Sequence, residues 1–171
     1  MDAELLYMIA QEGKEVGNPY IIAYRNGTVN GISSSLTPYI VNYNTVSAHD
    51  SISGGFSASN LQSNGSVLIP VTGLYAVTVN YSPTSLSSNT YVNLGIAVSS
   101  SSTSTTTTNG FTTFMASNTM SSNAGLNFST LVVATGGNFI SAIVAANAGS
   151  IAGSSGGLNG NFISISYIGP A

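Results

Sequence analysis

A chain of 171 residues fits one domain and is long enough to bury roughly 70% of the surface its unfolded form exposes. Charged residues make up only 4% of it, against about 25% in an ordinary globular domain. The absence of cysteine excludes disulfide and thiol chemistry, and two cations are too few to hold a phosphate backbone, which excludes nucleic-acid binding.

The distribution of charge says more than its total. The carboxylates are Asp2, Glu4, Glu12, Glu15 and Asp50, the cations are Lys14 and Arg25, and the one histidine is His49. From Ser51 to Ala171 nothing is charged. General acid–base catalysis needs a titratable group near the working pH, and over that stretch only tyrosine remains. Serine and threonine hydroxyls abound, but no base is available to activate one. Hard metals want several carboxylates and zinc wants His or Cys clusters. The sequence therefore predicts no enzyme, with no catalytic, cofactor-binding or metal-ligating residues. Solubility falls to Ser, Thr, Asn and Gly. Spaced apolar runs at 43% hydrophobic content argue for a packed domain over a disordered chain.

In chain order, residues 1–35 read as an N-terminal arm and 36–171 as the domain. Asp2 can cap a short helix from about Ala3 to Glu12, with Leu5, Met8 and Ile9 on one face, stopped by Gly13 and by Gly17-Asn18-Pro19. That apolar stripe serves either as a docking arm for a partner or as a terminal helix packed on its own domain. The segment does not read as a secretory signal, since no basic residue precedes the apolar stretch and Glu4 interrupts it. No run approaches the roughly 18 apolar residues of a membrane-spanning helix.

From Tyr20 onward, short runs rich in Val, Ile, Tyr and Phe are bounded by Gly, Asn and Ser, the pattern of strands and turns. The predicted strands are Tyr20–Arg25, Thr37–Val46, Ser66–Pro70, Leu74–Tyr81, Tyr91–Val98, Phe111–Ala116, Leu126–Ala134, Asn138–Ala146 and Asn161–Ile168. Tyr75, Val77, Val79 and Tyr81 alternate onto one face, as do Val92, Leu94, Ile96 and Val98. Short strands without an interior helix point to an all-β antiparallel sandwich or barrel. The run SSSSTSTTTTN at Ser99–Asn109 reads as an exposed loop, with an extended edge strand as the competing reading. Gly153–Gly160 reads as a second flexible crossing.

Smaller signals accompany these. Four segments match the N-glycosylation pattern, at Asn26, Asn64, Asn80 and Asn127, although a chain this rich in Asn, Ser and Thr produces such matches by chance. His49-Asp50 lacks catalytic partners and reads as a loop. Gly54-Gly55 and Gly136-Gly137 read as turns, because no helix follows either pair to form a phosphate cradle.

The segment Gly65–Tyr81, GSVLIPVTGLYAVTVNY, joins an apolar strand, a proline, a Gly-Leu-Tyr turn and an alternating strand. It resembles the tumour necrosis factor / complement C1q-like jelly roll, in which a Gly-x-Tyr turn leads into a central strand. Tyr43-Asn44-Thr45-Val46 resembles the family's early strand, Leu126–Ile143 its late hairpin, and Asn161–Ile168 its closing central strand. Two features depart from the family. Val77 and Val79 stand where it has aromatics, and the late Gly-Asp turn is Gly137-Asn138. The carboxylates that bind calcium in some members have no counterpart after Asp50, so calcium is not carried over. The resemblance implies a two-sheet antiparallel jelly roll that associates as a homotrimer through an apolar, aromatic-lined interface. Tyr75, Tyr81, Phe162 and Tyr167 are then candidates for core or three-fold contacts.

Two functions remain open on this reading. The first is a non-enzymatic structural protein of a virion or particle surface, a minor capsid or capsid-decorating protein assembled in a host cell, whose arm meets other capsid proteins. The alternative is a trimeric recognition module for host attachment, a spore coat or carbohydrate, at a particle or cell surface.

Overall fold

The computed structural model describes residues 18–27, 29–32, 37–50, 55–83, 90–106, 111–115, 125–147, 151–153 and 160–171. Among these the regular structure is β1 (Tyr20–Tyr24), β2 (Val29–Ile32), β3 (Tyr39–Ile40), β4 (Thr45–His49), β5 (Val67–Leu68), β6 (Gly73–Tyr81), β7 (Tyr91–Ser99), β8 (Phe111–Met115), β9 (Leu126–Ala134), β10 (Phe139–Ala146), β11 (Ile151–Gly153) and β12 (Phe162–Gly169). One 3-10 turn, Ala58–Asn60, precedes β5. The expected helix with Leu5, Met8 and Ile9 lies outside the described residues.

Two antiparallel sheets carry the fold. The first runs β4-β1-β12-β6-β9; the second runs β3-β10-β7-β8, with β5 also paired to β10; β2 and β11 form a separate pair. Alternation in the sequence becomes burial directly. Every second residue of β6 from Gly73 to Tyr81 is buried, and the residues between are half-exposed. Tyr75, Val77, Val79 and Tyr81 meet Ile163 and Ile165 of β12, Ile21 and Ala23 of β1, and Val92, Leu94 and Ile96 of β7 in one core between the sheets. A two-sheet sandwich buries one face of each sheet and leaves the other to its surroundings.

The predicted strand Thr37–Val46 is two strands in different sheets. Tyr39–Ile40 pairs with β10, and Thr45–His49 pairs with β1. Between them the chain crosses the sandwich, with the Val41 amide bonded to the Ala142 carbonyl at 2.9 Å and the Asn44 amide to the Tyr24 carbonyl at 3.1 Å. Val41 and Tyr43 are both fully buried, so the every-second-residue pattern runs through the crossing uninterrupted. Gly65 lies against this crossing with φ +93, and a Cβ there would collide with the Val41 carbonyl and sit 2.6 Å from the Tyr43 nitrogen. Only glycine fits that place.

The expected division at residue 35 gives Tyr20–Tyr24 to the arm, yet these residues form a strand between β4 and β12 with Ile21 and Ala23 fully buried. β2 and β11 answer to no predicted strand. In the run expected as a loop, β7 extends to Ser99, and the Ser102 carbonyl accepts from Asn64 Nδ2 at 2.7 Å and Ser66 Oγ at 2.6 Å. Residues 107–110 lie outside the described set. His49 closes β4 as its last residue, and the Asp50 amide bonds the Tyr20 carbonyl at 2.9 Å. Gly137 makes the β9–β10 turn with φ +89, its amide on the Ile69 carbonyl at 2.8 Å.

Candidate functional site

The outward face of the five-stranded sheet is the candidate site. Register sets its side chains in rows across the central strands. The first is Tyr24, Phe162, Asn80, Asn127; the second Ile22, Ser164, Thr78, Ser129; the third Tyr20, Ser166, Ala76, Leu131; the fourth begins at Leu74 beside Val133. The face thus grades from an aromatic and amide end, through a hydroxyl row, to an aliphatic end. Thr78 Oγ1 and Ser129 Oγ are 2.9 Å apart in the hydroxyl row.

Leu131 is 57% exposed, Val133 62% and Ile168 47%, while their strand neighbours Val132 and Ala134 are buried. No residue of β6, β9 or β12 is charged. Large aliphatic side chains held in the open on a rigid sheet, without a charge among them, are suited to burial against another protein surface. Covering the exposed half of each would contribute about 1–1.5 kcal/mol, roughly half the value for burying a fully exposed aliphatic side chain.

The inward face holds Tyr75, Tyr81 and Tyr167. Tyr75 packs edge-on against Tyr167 at 5.4 Å between ring centroids and against Phe56 at 6.2 Å. Gly73 explains the Gly-Leu-Tyr element physically. A Cβ there would strike the Tyr167 ring and lie 2.6 Å from the Gly169 carbonyl, so glycine is what lets Tyr167 lie down beside Tyr75. The Tyr75 hydroxyl donates to the Val71 carbonyl. At the far end the Tyr39 and Tyr81 hydroxyls are 3.2 Å apart, and Tyr43 donates to the Phe162 carbonyl at 3.1 Å.

Burial pushes all four hydroxyls up. Those of Tyr75 and Tyr81 rise to about 12; burial outweighs the Val71 bond at Tyr75 and the Tyr39 bond at Tyr81, each of which lowers the value. Tyr39 and Tyr43 rise further, from burial first and then the neighbouring Tyr81 hydroxyl. These phenols are neutral at ordinary pH and hold the core as hydrogen-bonded aromatics.

Of the candidate contact residues, Tyr75 and Tyr81 lie in the core between the sheets, 1% and 0% exposed. Tyr167 is half-buried against that core, and Phe162 is half-buried on the outward face. Leu131, Val133 and Ile168 were not singled out from the sequence. The signal for the first two lies in β9, where apolar residues occupy both parities from Leu131 to Ala134 of a strand that otherwise alternates.

The asparagines of the glycosylation matches divide in two. Asn64 Nδ2 is bonded to Ser102, and Asn80 Nδ2 donates to the Gly160 carbonyl at 2.7 Å. Asn26 and Asn127 are exposed. Among the described residues no three His, Asp or Glu side chains gather as a metal site.

The sheet orders and the outward-facing five-stranded face can be set against solved structures. Murine APRIL matches with a TM-score of 0.53 and 12% identity, over 88% of this chain and 99% of that one. The globular domain of the zebrafish complement 1qA protein matches with a TM-score of 0.54 and 12% identity, over 90% and 99%. The fold is TNF/C1q-like. The Eiger TNF from S. frugiperda adds a TM-score of 0.50 at 16% identity, over 90% of this chain and 95% of that one. No protein-family model matches the sequence, and no curated protein matches it either. The likeness is one of fold, reached through a different set of side chains.

Proposed function

We propose that this TNF/C1q-like chain is a non-catalytic module that self-associates as a homotrimer and works as a structural component of a virion or particle surface. The observation that carries the reading is the uncharged outward sheet face with Leu131, Val133 and Ile168 exposed. Three copies around a common axis would cover these side chains, in keeping with the trimer that the family resemblance implies. A shell or decoration subunit works by shape and buried apolar area, neither of which needs charge. Beyond Asp50 the chain has none to offer. In this reading the arm, with Leu5, Met8 and Ile9, reaches neighbouring particle proteins. The expected result in velocity sedimentation of the full chain is a single trimeric species, the same at low and high salt, because salt screens charges and not apolar contacts. A monomer, or a trimer that falls apart in salt, overturns it.

The tethering of the 99–106 segment favours a second reading, a recognition module. Two hydrogen bonds fix the Ser102 carbonyl, so the hydroxyls of Ser101 and Thr103 (3.0 Å apart) are presented on an ordered surface. Ordered hydroxyls and amides suit glycan or protein ligands. Saturable binding of a glycan by the isolated protein supports this reading, and co-purification with intact particles supports the first.

A further inference from the structure

The sequence contains five Asn-Gly pairs, at 26–27, 30–31, 64–65, 109–110 and 159–160. In such a pair the glycine nitrogen is unshielded by a neighbouring side chain and can attack the carboxamide carbon of the asparagine before it. Two of these asparagines have described side-chain settings, and the settings are opposite. Asn64 Nδ2 donates to the Ser102 carbonyl at 2.7 Å, and its Oδ1 accepts from the Ser66 amide at 3.1 Å. Gly65 is pressed onto the Val41–Tyr43 crossing. The Asn64 carboxamide cannot turn toward the Gly65 nitrogen without breaking both bonds.

Asn26 is exposed, and among the described residues nothing hydrogen-bonds its side chain. Among the described residues nothing lies within 4 Å of where a Cβ on Gly27 would sit. What is fixed is the main chain of Asn26. Asn44 Oδ1 accepts from the Asn26 amide at 2.8 Å, and Asn44 Nδ2 donates to the Asn26 carbonyl at 3.1 Å. That carbonyl and the Gly27 nitrogen belong to one peptide group. When the nitrogen loses its proton, the negative charge spreads onto the carbonyl oxygen, where the Asn44 donor is already in place. Preplaced donors of this kind stabilise developing oxyanions.

We propose that Asn26-Gly27 is a self-modifying site at which Asn44, as a positioning residue, speeds conversion of Asn26 to aspartate and isoaspartate. Hydroxide takes the Gly27 amide proton, and the nitrogen attacks Asn26 Cγ to form the N–Cγ bond of a five-membered imide. The Cγ–Nδ2 bond then breaks, and ammonia leaves with a proton supplied by water. Water adds to either imide carbonyl and opens the ring, to aspartate or to isoaspartate. No oxidant or cofactor takes part. The product has one more carboxylate, so the formal net charge goes from −3 to −4 (−3 − 1), at the residue next to Arg25. The iso form also inserts a methylene into the main chain between β1 and β2. In a chain with so few charges, this gives one turn a slow and irreversible change of charge and path.

Peptide mapping by mass spectrometry during incubation of the full chain at mildly alkaline pH tests this. In the folded protein the Asn26 peptide should gain about 1 Da, the difference between amide and acid, and split into two isomers. The Asn64 peptide should stay unchanged. In denaturant the two pairs, followed by Thr28 and Ser66, should convert at similar rates. Asn44→Asp keeps the acceptor for the Asn26 amide and removes the donor to its carbonyl. It should slow conversion at Asn26 by about tenfold, the worth of one hydrogen bond to a charged oxygen, without moving the denatured rate. Equal conversion at Asn64 and Asn26 in the folded wild type overturns the site, whatever the variant's stability. An unchanged Asn26 rate in a folded Asn44→Asp variant overturns the role of Asn44.

Discussion

The two faces of the five-stranded sheet are made from alternate residues of the same strands, and they are built to different rules. Along β6 the inward residues are Tyr75, Val77, Val79 and Tyr81, each at most 1% exposed, and their hydroxyls all have partners within the subunit. The outward residues of the same strand are Leu74, Ala76, Thr78 and Asn80, which pair with Val133, Leu131, Ser129 and Asn127 of β9. The inner face is closed on itself. The outer face is ordered by the same backbone but leaves Leu131 57% and Val133 62% exposed. The difference teaches where to look for function in a chain without charged chemistry. The outer face, which holds Leu131 and Val133 in the open, is where the proposed self-association would bury apolar area.

The largest effect should come from breaking the placement of both faces at once. Gly65→Ala puts a methyl into the Val41–Tyr43 crossing at φ +93 and should cost more than about 3 kcal/mol, read as lost or greatly weakened folding in urea. Next is alkali, which acts on folding through the buried phenols of Tyr39, Tyr43, Tyr75 and Tyr81. The inner phenols have folded pKa values raised above the ordinary 10.0, so the unfolded chain ionises first and binds fewer protons. Stability is therefore fully present below about pH 10 and falls as pH rises toward and past 12. Tyr43 contributes a loss of about 1.4 kcal/mol per pH unit in that window. Unfolding midpoints measured across it should fall steeply, and Tyr43→Phe should make the fall shallower. Neighbouring residues of β6 then sharpen the contrast: Val77→Ala should cost about 2–3 kcal/mol, and Thr78→Ala no more than about 0.5.

Much of the inner face was legible in the sequence. The strands β6, β7, β9, β10 and β12 match predicted ones within a residue or two because their apolar residues recur at the period of a half-buried strand. Tyr39, Val41 and Tyr43 show the limit of that signal. Periodicity reports which residues are buried and is silent on which sheet they bond, so a chain crossing between sheets with its pattern intact reads as one strand. β2 and β11 were hidden for a related reason. They are short, and they pair with each other from more than a hundred residues apart, as Ile32 with Ile151. The Gly-Leu-Tyr element was recognised by resemblance, and its cause, the Tyr167 ring lying on Gly73, needed the fold. On the outer face, Leu131 and Val133 sat in plain view inside a run of apolar residues. A strand with apolar residues at both parities has no marked outward side until a second sheet chooses one.

The most direct test of the outer face as the association surface is sedimentation of the double variant Leu131→Asp/Val133→Asp beside the wild type. The wild type should sediment as a trimer and the variant as a folded monomer, its subunit core intact by near-ultraviolet circular dichroism of the buried tyrosines. A variant that remains trimeric, or a wild type that is itself monomeric, would contradict the assignment of this face.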